Sequence, residues 1–323
     1  MSSMYDRITI KLDRDRLPCG YEWRAVLSMT ESRMLYTKGN GGRGVWRGGW
    51  VTARESYVEF RGSLTKSLYG HNCNTVPIRL SEVQGLINGM SSDFGIPMEL
   101  AKVTELELAA NFVMRYQPSV YSNMVEGVDG ADDWNIRGTK YVERKDYVRL
   151  KFYDKGKDAI RKKELPGTGS VPPNLLRYEV TFYARKLREM FGTLRAEDLW
   201  NRDTYWMLIS EWLYCFDNVR MHSDMDFVDF RQFRNLQGFV SWVLCRVDDG
   251  ENLINSVKRL FSSRSSPVDR DRQIHRDIKR RIMAAREWGK SNMQESGPAS
   301  ELRRAVESYL TWLYERSPDG MAF

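Results

Sequence analysis

The stretch from Tyr147 to Leu187 constrains this chain most, because side chains alternate strictly in both of its strand-like halves. In DYVRLKFYDK, Arg149, Lys151, Tyr153 and Lys155 fall on one face while Val148, Leu150 and Phe152 fall on the other. In LLRYEVTFY, Tyr178, Val180 and Phe182 point one way and Arg177, Glu179 and Thr181 the other. Two strands with one apolar and one charged face require a sheet packed on one side. A tyrosine flanked by cations, with a glutamate on a nearby strand, supplies the parts of a phosphodiester-cutting site. Two half-exposed strands with a solvated charged face are the plainer reading.

Alternation continues through the first half of the chain. Tyr5 to Leu12 sets Ile8, Ile10 and Leu12 against Thr9 and Lys11, and Ser56 to Leu64 alternates again. In Lys102 to Met114, parity groups Val103 with Glu105 and Glu107 and sets Thr104, Leu106 and Leu108 on the opposite face. Two like charges on one strand face need solvent or a cation. The glycine-rich run from Lys38 to Trp50 reads either as a mobile loop, whose Arg43, Arg47, Trp46 and Trp50 contact phosphates and bases, or as a hairpin with its tryptophans on the sheet.

From about Gly192 the period turns helical. Leu199 to Phe216 is apolar nearly all round, and Leu253 to Phe261 and Leu302 to Leu313 carry further helical stripes. Arg264 to Lys290 is dense in basic residues and reads as a helix along a phosphate backbone or as a solvated surface helix. The expected architecture is α+β: a largely antiparallel nuclease domain over 1–192 and a helical domain over 193–323 that binds DNA or a partner.

A net charge of +7 favours a polyanionic partner, with nucleic acid foremost. The four cysteines have no CxxC spacing, and reduced, buried thiols are expected. The N-terminus carries no apolar run of signal-peptide length, and no segment offers the roughly 20 apolar residues of a membrane span. A cytoplasmic protein with no membrane partner is the expectation. Gly289-Lys290-Ser291 ends like a P-loop, but Ala284 stands where its first glycine belongs, so ATP-driven helicase activity is not expected of this chain.

Strand cleavage that conserves bond energy needs a hydroxyl that stays on the 5′-phosphate as an ester, and a tyrosine serves because its phenolate can later be expelled. Its ordinary pKa of about 10 means that it needs help at neutral pH. Lys155, two residues after Tyr153 and on its face if the strand persists, supplies positive charge. His71, Glu107 and Glu179 offer one imidazole and two carboxylates for Mg²⁺ or Mn²⁺, which would polarise the phosphate. A lone histidine such as His71 is more often structural than a ligand, and that is its plainer reading. Arg149, Lys151 and Arg177 are candidate nucleic-acid contacts.

Leu68-Tyr69-Gly70-His71-Asn72, Thr104-Glu105-Leu106-Glu107-Leu108, Lys151-Phe152-Tyr153-Asp154-Lys155 and Leu176-Arg177-Tyr178-Glu179-Val180 form an ordered set. Over residues 60–192 this set resembles the motifs of the filamentous-phage replication-initiator family, the phage/plasmid replication protein II/X type. The resemblance implies a strand- and site-specific endonuclease that nicks a rolling-circle origin, becomes joined to the 5′ end and later religates the displaced strand. It implies that Tyr153 is the nicking tyrosine and Lys155 its accompanying lysine, with His71, Glu107 and Glu179 at the family's histidine and acidic positions. Two departures stand out. His71 is followed by Asn72 and Cys73 rather than forming a His-hydrophobic-His motif, and Glu107 stands where the relatives carry aspartate, with Glu105 as a rival. Origin DNA, single-stranded at the nick, is the implied partner, with a host helicase and polymerase. The competing reading is a non-catalytic origin-binding regulator.

Overall fold

In the computed structural model, residues 2–35, 40–70, 77–162, 171–222, 280 and 297–315 are described. The chain divides into one compact unit of Met1–Met221 with Leu302–Phe323 and a second of His222–Glu301. The stripe at 253–261 and the basic run at 264–290, Arg280 apart, lie outside the described residues, so the account concerns the first unit.

The strands, in chain order, are β1 (Ser2–Ser3), β2 (Tyr5–Asp13), β3 (Glu31–Leu35), β4 (Gly41–Trp46), β5 (Gly49–Arg54), β6 (Tyr57–Ser63), β7 (Ile78–Arg79), β8 (Lys102–Val113), β9 (Val125–Gly127), β10 (Asp132–Ile136), β11 (Thr139–Arg144), β12 (Val148–Asp154), β13 (Leu175–Tyr183) and β14 (Arg220–Met221). The helices are α1 (Trp23–Ser28), α2 (Leu64–Tyr69), α3 (Leu80–Phe94), α4 (Pro118–Met124), α5 (Lys155–Lys162), α6 (Ala184–Phe191), α7 (Arg202–Asp217) and α8 (Pro298–Glu315). Ten strands form one sheet in the order β10-β11-β12-β13-β8-β2-β6-β5-β4-β3, and each neighbouring pair is antiparallel. The fold is therefore mixed α+β around a large antiparallel sheet. Among the described residues no helix is long and apolar enough to cross a membrane.

The apolar face anticipated from alternation is the core. Ile8 and Ile10 of β2, Leu106 and Leu108 of β8, Leu150 and Phe152 of β12, and Tyr178, Val180 and Phe182 of β13 are all buried. α7 is capped by Asn201, whose side chain accepts hydrogen bonds from the amides of Asp203 and Thr204. It lays Trp212 and Phe216 against Tyr178, with ring centroids 4.8 and 5.5 Å apart. Residues 193–221, expected to open a separate helical domain, thus pack in the same unit as the sheet. The reason is area: an apolar sheet face needs a covering layer, and burying one aromatic or aliphatic side chain contributes about 1.5–3 kcal/mol.

From Gly41 to Trp50 the glycine-rich run is a hairpin and not a mobile loop; Lys38 and Gly39 lie outside the described residues. β4 and β5 pair from Gly41↔Arg54 to Trp46↔Gly49. The two-residue turn between them has positive φ at Arg47 (44°) and Gly48 (75°), as the twist of a tight hairpin favours. A Cβ at Gly49 would overlap the Phe60 ring, so glycine there serves close packing rather than looseness. Trp46 is buried edge-on to Phe60 and Phe94. Its indole N–H donates to Asp93 at 3.0 Å, so this tryptophan is core and not a base platform.

Candidate active site

The polar face of β12, β13, β8 and β2 gathers the charged residues. Register sets Tyr153 opposite Arg177, Lys151 opposite Glu179, and Thr181 opposite Glu107. β2 contributes through a bulge. Between Tyr5↔Leu108 and Ile8↔Leu106, β2 has two residues, Asp6 and Arg7, where β8 has only Glu107. Simple alternation would place Asp6 with Ile8 and Ile10 in the core; the extra residue brings it onto the polar face and turns Tyr5 inward. A second shift at Thr104 does the converse for β8, pairing Val103 with Ile10 in the core and overturning its grouping with Glu105 and Glu107.

A closed network results. The Tyr153 hydroxyl donates to Glu179 Oε1 at 2.6 Å. Arg177 Nε donates to the same oxygen at 2.6 Å, another guanidinium nitrogen reaches Asp6, and a third donates to Asn111 at 3.3 Å. Lys151 Nζ bridges Oε2 of Glu107 at 2.7 Å and Oε2 of Glu179 at 2.9 Å. Thr181 and Ser63 donate to Glu107 at 3.1 Å and to Asp6 at 2.9 Å.

These neighbours set the protonation states. Burial would raise the Glu179 carboxyl, but Lys151 and Arg177 beside it, with the Tyr153 hydrogen bond, hold it well below the carboxylate range. Burial first, then the Glu179 charge, raises Glu107, so of the two glutamates sharing Lys151 it is Glu107 that takes a proton more readily. Burial opposes charge on Lys151 as well, but Glu179 and Glu107 outweigh it and push the ammonium up. Burial and the Glu179 charge push the Tyr153 phenol well above its ordinary value, against the pull of Arg177. Tyr153 therefore rests protonated.

Asp6, Glu107 and Glu179 each present one oxygen within 4.8 Å of the others. Three hard oxygen donors suit Mg²⁺ or Mn²⁺, so the donor set fits the expected metal, with Asp6 added to the ligands read from sequence. Lys151 and Arg177 hold the same oxygens, so a cation entering there competes with the Lys151 ammonium. His71 lies outside the described residues. Glu105 is not in the cluster and instead meets Arg61 at 3.2 Å.

Other expected site residues are placed differently. Lys155 does not extend the Tyr153 face, because β12 ends at Asp154 and Lys155 opens α5, its ammonium 3.6 Å from Asp158. Arg177, only 2% exposed, is a buried organiser of carboxylates rather than a DNA contact, and Lys151 is likewise engaged by the glutamates. Arg149 donates to Glu143 at 2.8 Å and lies over the Tyr183 ring. Arg43 stacks on the exposed Trp50 with 4.2 Å to the ring centroid, while the exposed Arg47 lies over Trp46.

A cavity of about 150 Å³ opens over the network, with Tyr153, Lys151 and the three carboxylates in its wall and Arg7, Lys66, Arg161 and Lys162 around them, the last two paired with a fourth lining carboxylate, Asp158, at 2.6 and 2.9 Å. None of these four cations was singled out from the sequence, where lone basic residues carry no pattern.

No protein-family model and no curated protein matches this chain. The functional reading therefore rests on the geometry and on the ordered motifs.

Proposed function

We propose that this chain is a metal-dependent DNA-nicking and rejoining enzyme of the rolling-circle replication-initiator type, with Tyr153 as its nucleophile. The observation that carries the reading is the Tyr153–Glu179 hydrogen bond of 2.6 Å inside a three-carboxylate cluster rimmed by cations. The residues of three ordered motifs, around Glu107, Tyr153 and Glu179, meet there on three adjacent strands.

The chemistry follows from the contacts. Asp6, Glu107 and Glu179 would hold a Mg²⁺ or Mn²⁺ ion, which would supply Lewis acidity toward the scissile phosphate. Tyr153 attacks phosphorus and gives its proton to solvent, because Glu179 is held too acidic to keep it; an oxygen–phosphorus bond forms, the bond to the 3′ oxygen breaks, and that oxygen leaves and takes a proton from solvent. The strand remains joined to Tyr153 through its 5′-phosphate, and attack by a 3′-hydroxyl later reverses the step. Lys151, in the cavity wall beside Tyr153, would supply positive charge toward a phosphate bound there. Arg177 keeps Glu179 and Asp6 oriented. The substrate is origin DNA, single-stranded at the nick, in a bacterial cytoplasm where a host helicase and polymerase do the unwinding and synthesis that this chain has no motif for.

A non-catalytic origin-binding regulator is the second reading, favoured by one observation: Tyr153, Lys151, Arg177 and the three carboxylates satisfy one another without any ligand. The discriminating experiment incubates the chain with single-stranded origin-region DNA and Mn²⁺, followed by a denaturing gel and peptide mapping. A protease-sensitive adduct mapping to Tyr153 is expected. Tight binding without an adduct across the whole replicon sinks the nicking assignment in favour of the regulator.

A further inference from the structure

A second groove lies on the polar face beyond the network. Its described lining includes Arg7, Arg43, Arg61, Lys66 and the ring of Trp50, and no carboxylate. Two acids touch this lining from outside it: Glu105 meets Arg61 at 3.2 Å and Asp6 accepts from Ser63 at 2.9 Å. Trp50 is 44% exposed, although a tryptophan usually buries most of its surface. Arg43 stacks on that ring, and its Nε is enclosed without a hydrogen bond. Register keeps these residues on one face: Trp50 pairs with Arg61, Arg61 with Thr9, and Thr9 with Glu105. Arg7, Ser63 and Lys66 line both this groove and the Tyr153 cavity, so the two are continuous.

We propose that this groove is a single-strand track, in which an unpaired base stacks on Trp50 and the backbone runs over Arg61 and Arg7 toward Tyr153. A row of cations matches a phosphate backbone, and an exposed indole offers a π-face that only an unpaired base can use. A duplex hides its base faces. Five strand-to-strand steps separate β5 from β12, about 24 Å measured along the sheet, so one strand spans several nucleotides between Trp50 and Tyr153. The direction toward Tyr153 and the choice of DNA rest on the nicking assignment; the binding itself does not.

The test is anisotropy of labelled oligothymidylate with the full chain in EDTA, which removes cleavage from the measurement. Trp50→Ala weakens binding about ten-fold and Trp50→Phe restores most of it. Arg61→Ala reduces the slope of log affinity against log salt by about 0.7, as loss of one phosphate contact on a single strand requires. Arg137→Ala, on the exposed turn after β10, changes neither. A duplex of the same length binds more weakly. Unchanged affinity in Trp50→Ala, or equal binding of duplex and single strand, overturns the track. Loss of binding in Trp50→Ala together with no covalent adduct under any condition keeps the track and removes the nicking reading instead.

Discussion

The two ends of one sheet face handle charge in opposite ways. Around Tyr153, Lys151 and Arg177 are buried among carboxylates that they neutralise. Around Trp50, Arg7 is exposed and Arg61 half exposed, and no carboxylate lines the groove they share with Arg43. The difference follows from solvation: a charge taken out of water needs a partner, whereas a charge left at the surface costs little and stays available to a ligand. Substitutions at the first end should therefore disturb both stability and chemistry, and at the second end binding alone.

The sharpest break between the two ends is Tyr153→Phe. It should lower nicking by at least about a thousand-fold while oligonucleotide affinity stays within two-fold or so, since only the nucleophile is lost. Parallel loss of cleavage and affinity would show that Tyr153 organises binding and is no nucleophile. Next in size is Arg177→Met, which takes the buried guanidinium from Asp6 and leaves Glu179 with Lys151 alone; urea denaturation should show a loss of about 3–5 kcal/mol. Stability equal to the unsubstituted chain would mean that the network is not what holds these strands together.

A smaller effect sharpens the metal question. Lys151→Met removes the ammonium that competes for the glutamate oxygens, so Mn²⁺ should raise the melting temperature of the variant by more than that of the original chain. If Mn²⁺ shifts neither melting temperature, the carboxylates are a structural cluster and the metal is lost from the mechanism.

Acid should act on the network end through Glu179. Its folded pKa is depressed, so the stability it contributes is complete above the ordinary glutamate value of about 4.3 and is lost as pH falls below it. Lys151, raised, contributes fully below its ordinary value of about 10.4 and loses that contribution only as pH rises through its folded value. Glu107, raised, runs against Glu179, because its ionisation disfavours folding as pH rises past the ordinary value. Urea midpoints across this acid range should fall less steeply in Glu179→Gln than in the original chain; equal slopes would place the acid sensitivity elsewhere. The smallest change is at the groove, where Arg43→Ala should leave stability within about 0.5 kcal/mol.

Much of this arrangement was legible from alternation. Leu150, Phe152, Tyr178, Val180 and Phe182 lie in the core, and Tyr153, Glu107 and Glu179 meet on the opposite face. Three placements were not legible, each for a different reason. Asp6 reaches the cluster because one extra residue in β2 breaks the period of two, and a bulge leaves no composition signal. Lys155 leaves the Tyr153 face because helix α5 starts there, so the count from Tyr153 runs out after one residue. Trp46 and Trp50 look alike in a glycine-rich run, yet hairpin register buries one and exposes the other.

The sequence by itself determined which side chains share a strand face wherever a strand runs without a bulge, as in β12 and β13, because that depends only on the local geometry of an extended chain. Only the tertiary structure decided which strands lie side by side, and hence that residues as distant in the chain as Asp6 and Arg177 form an ion pair. Strand order comes from burying the whole apolar face at once, which no local window contains, and the partners of each buried charge follow from that order.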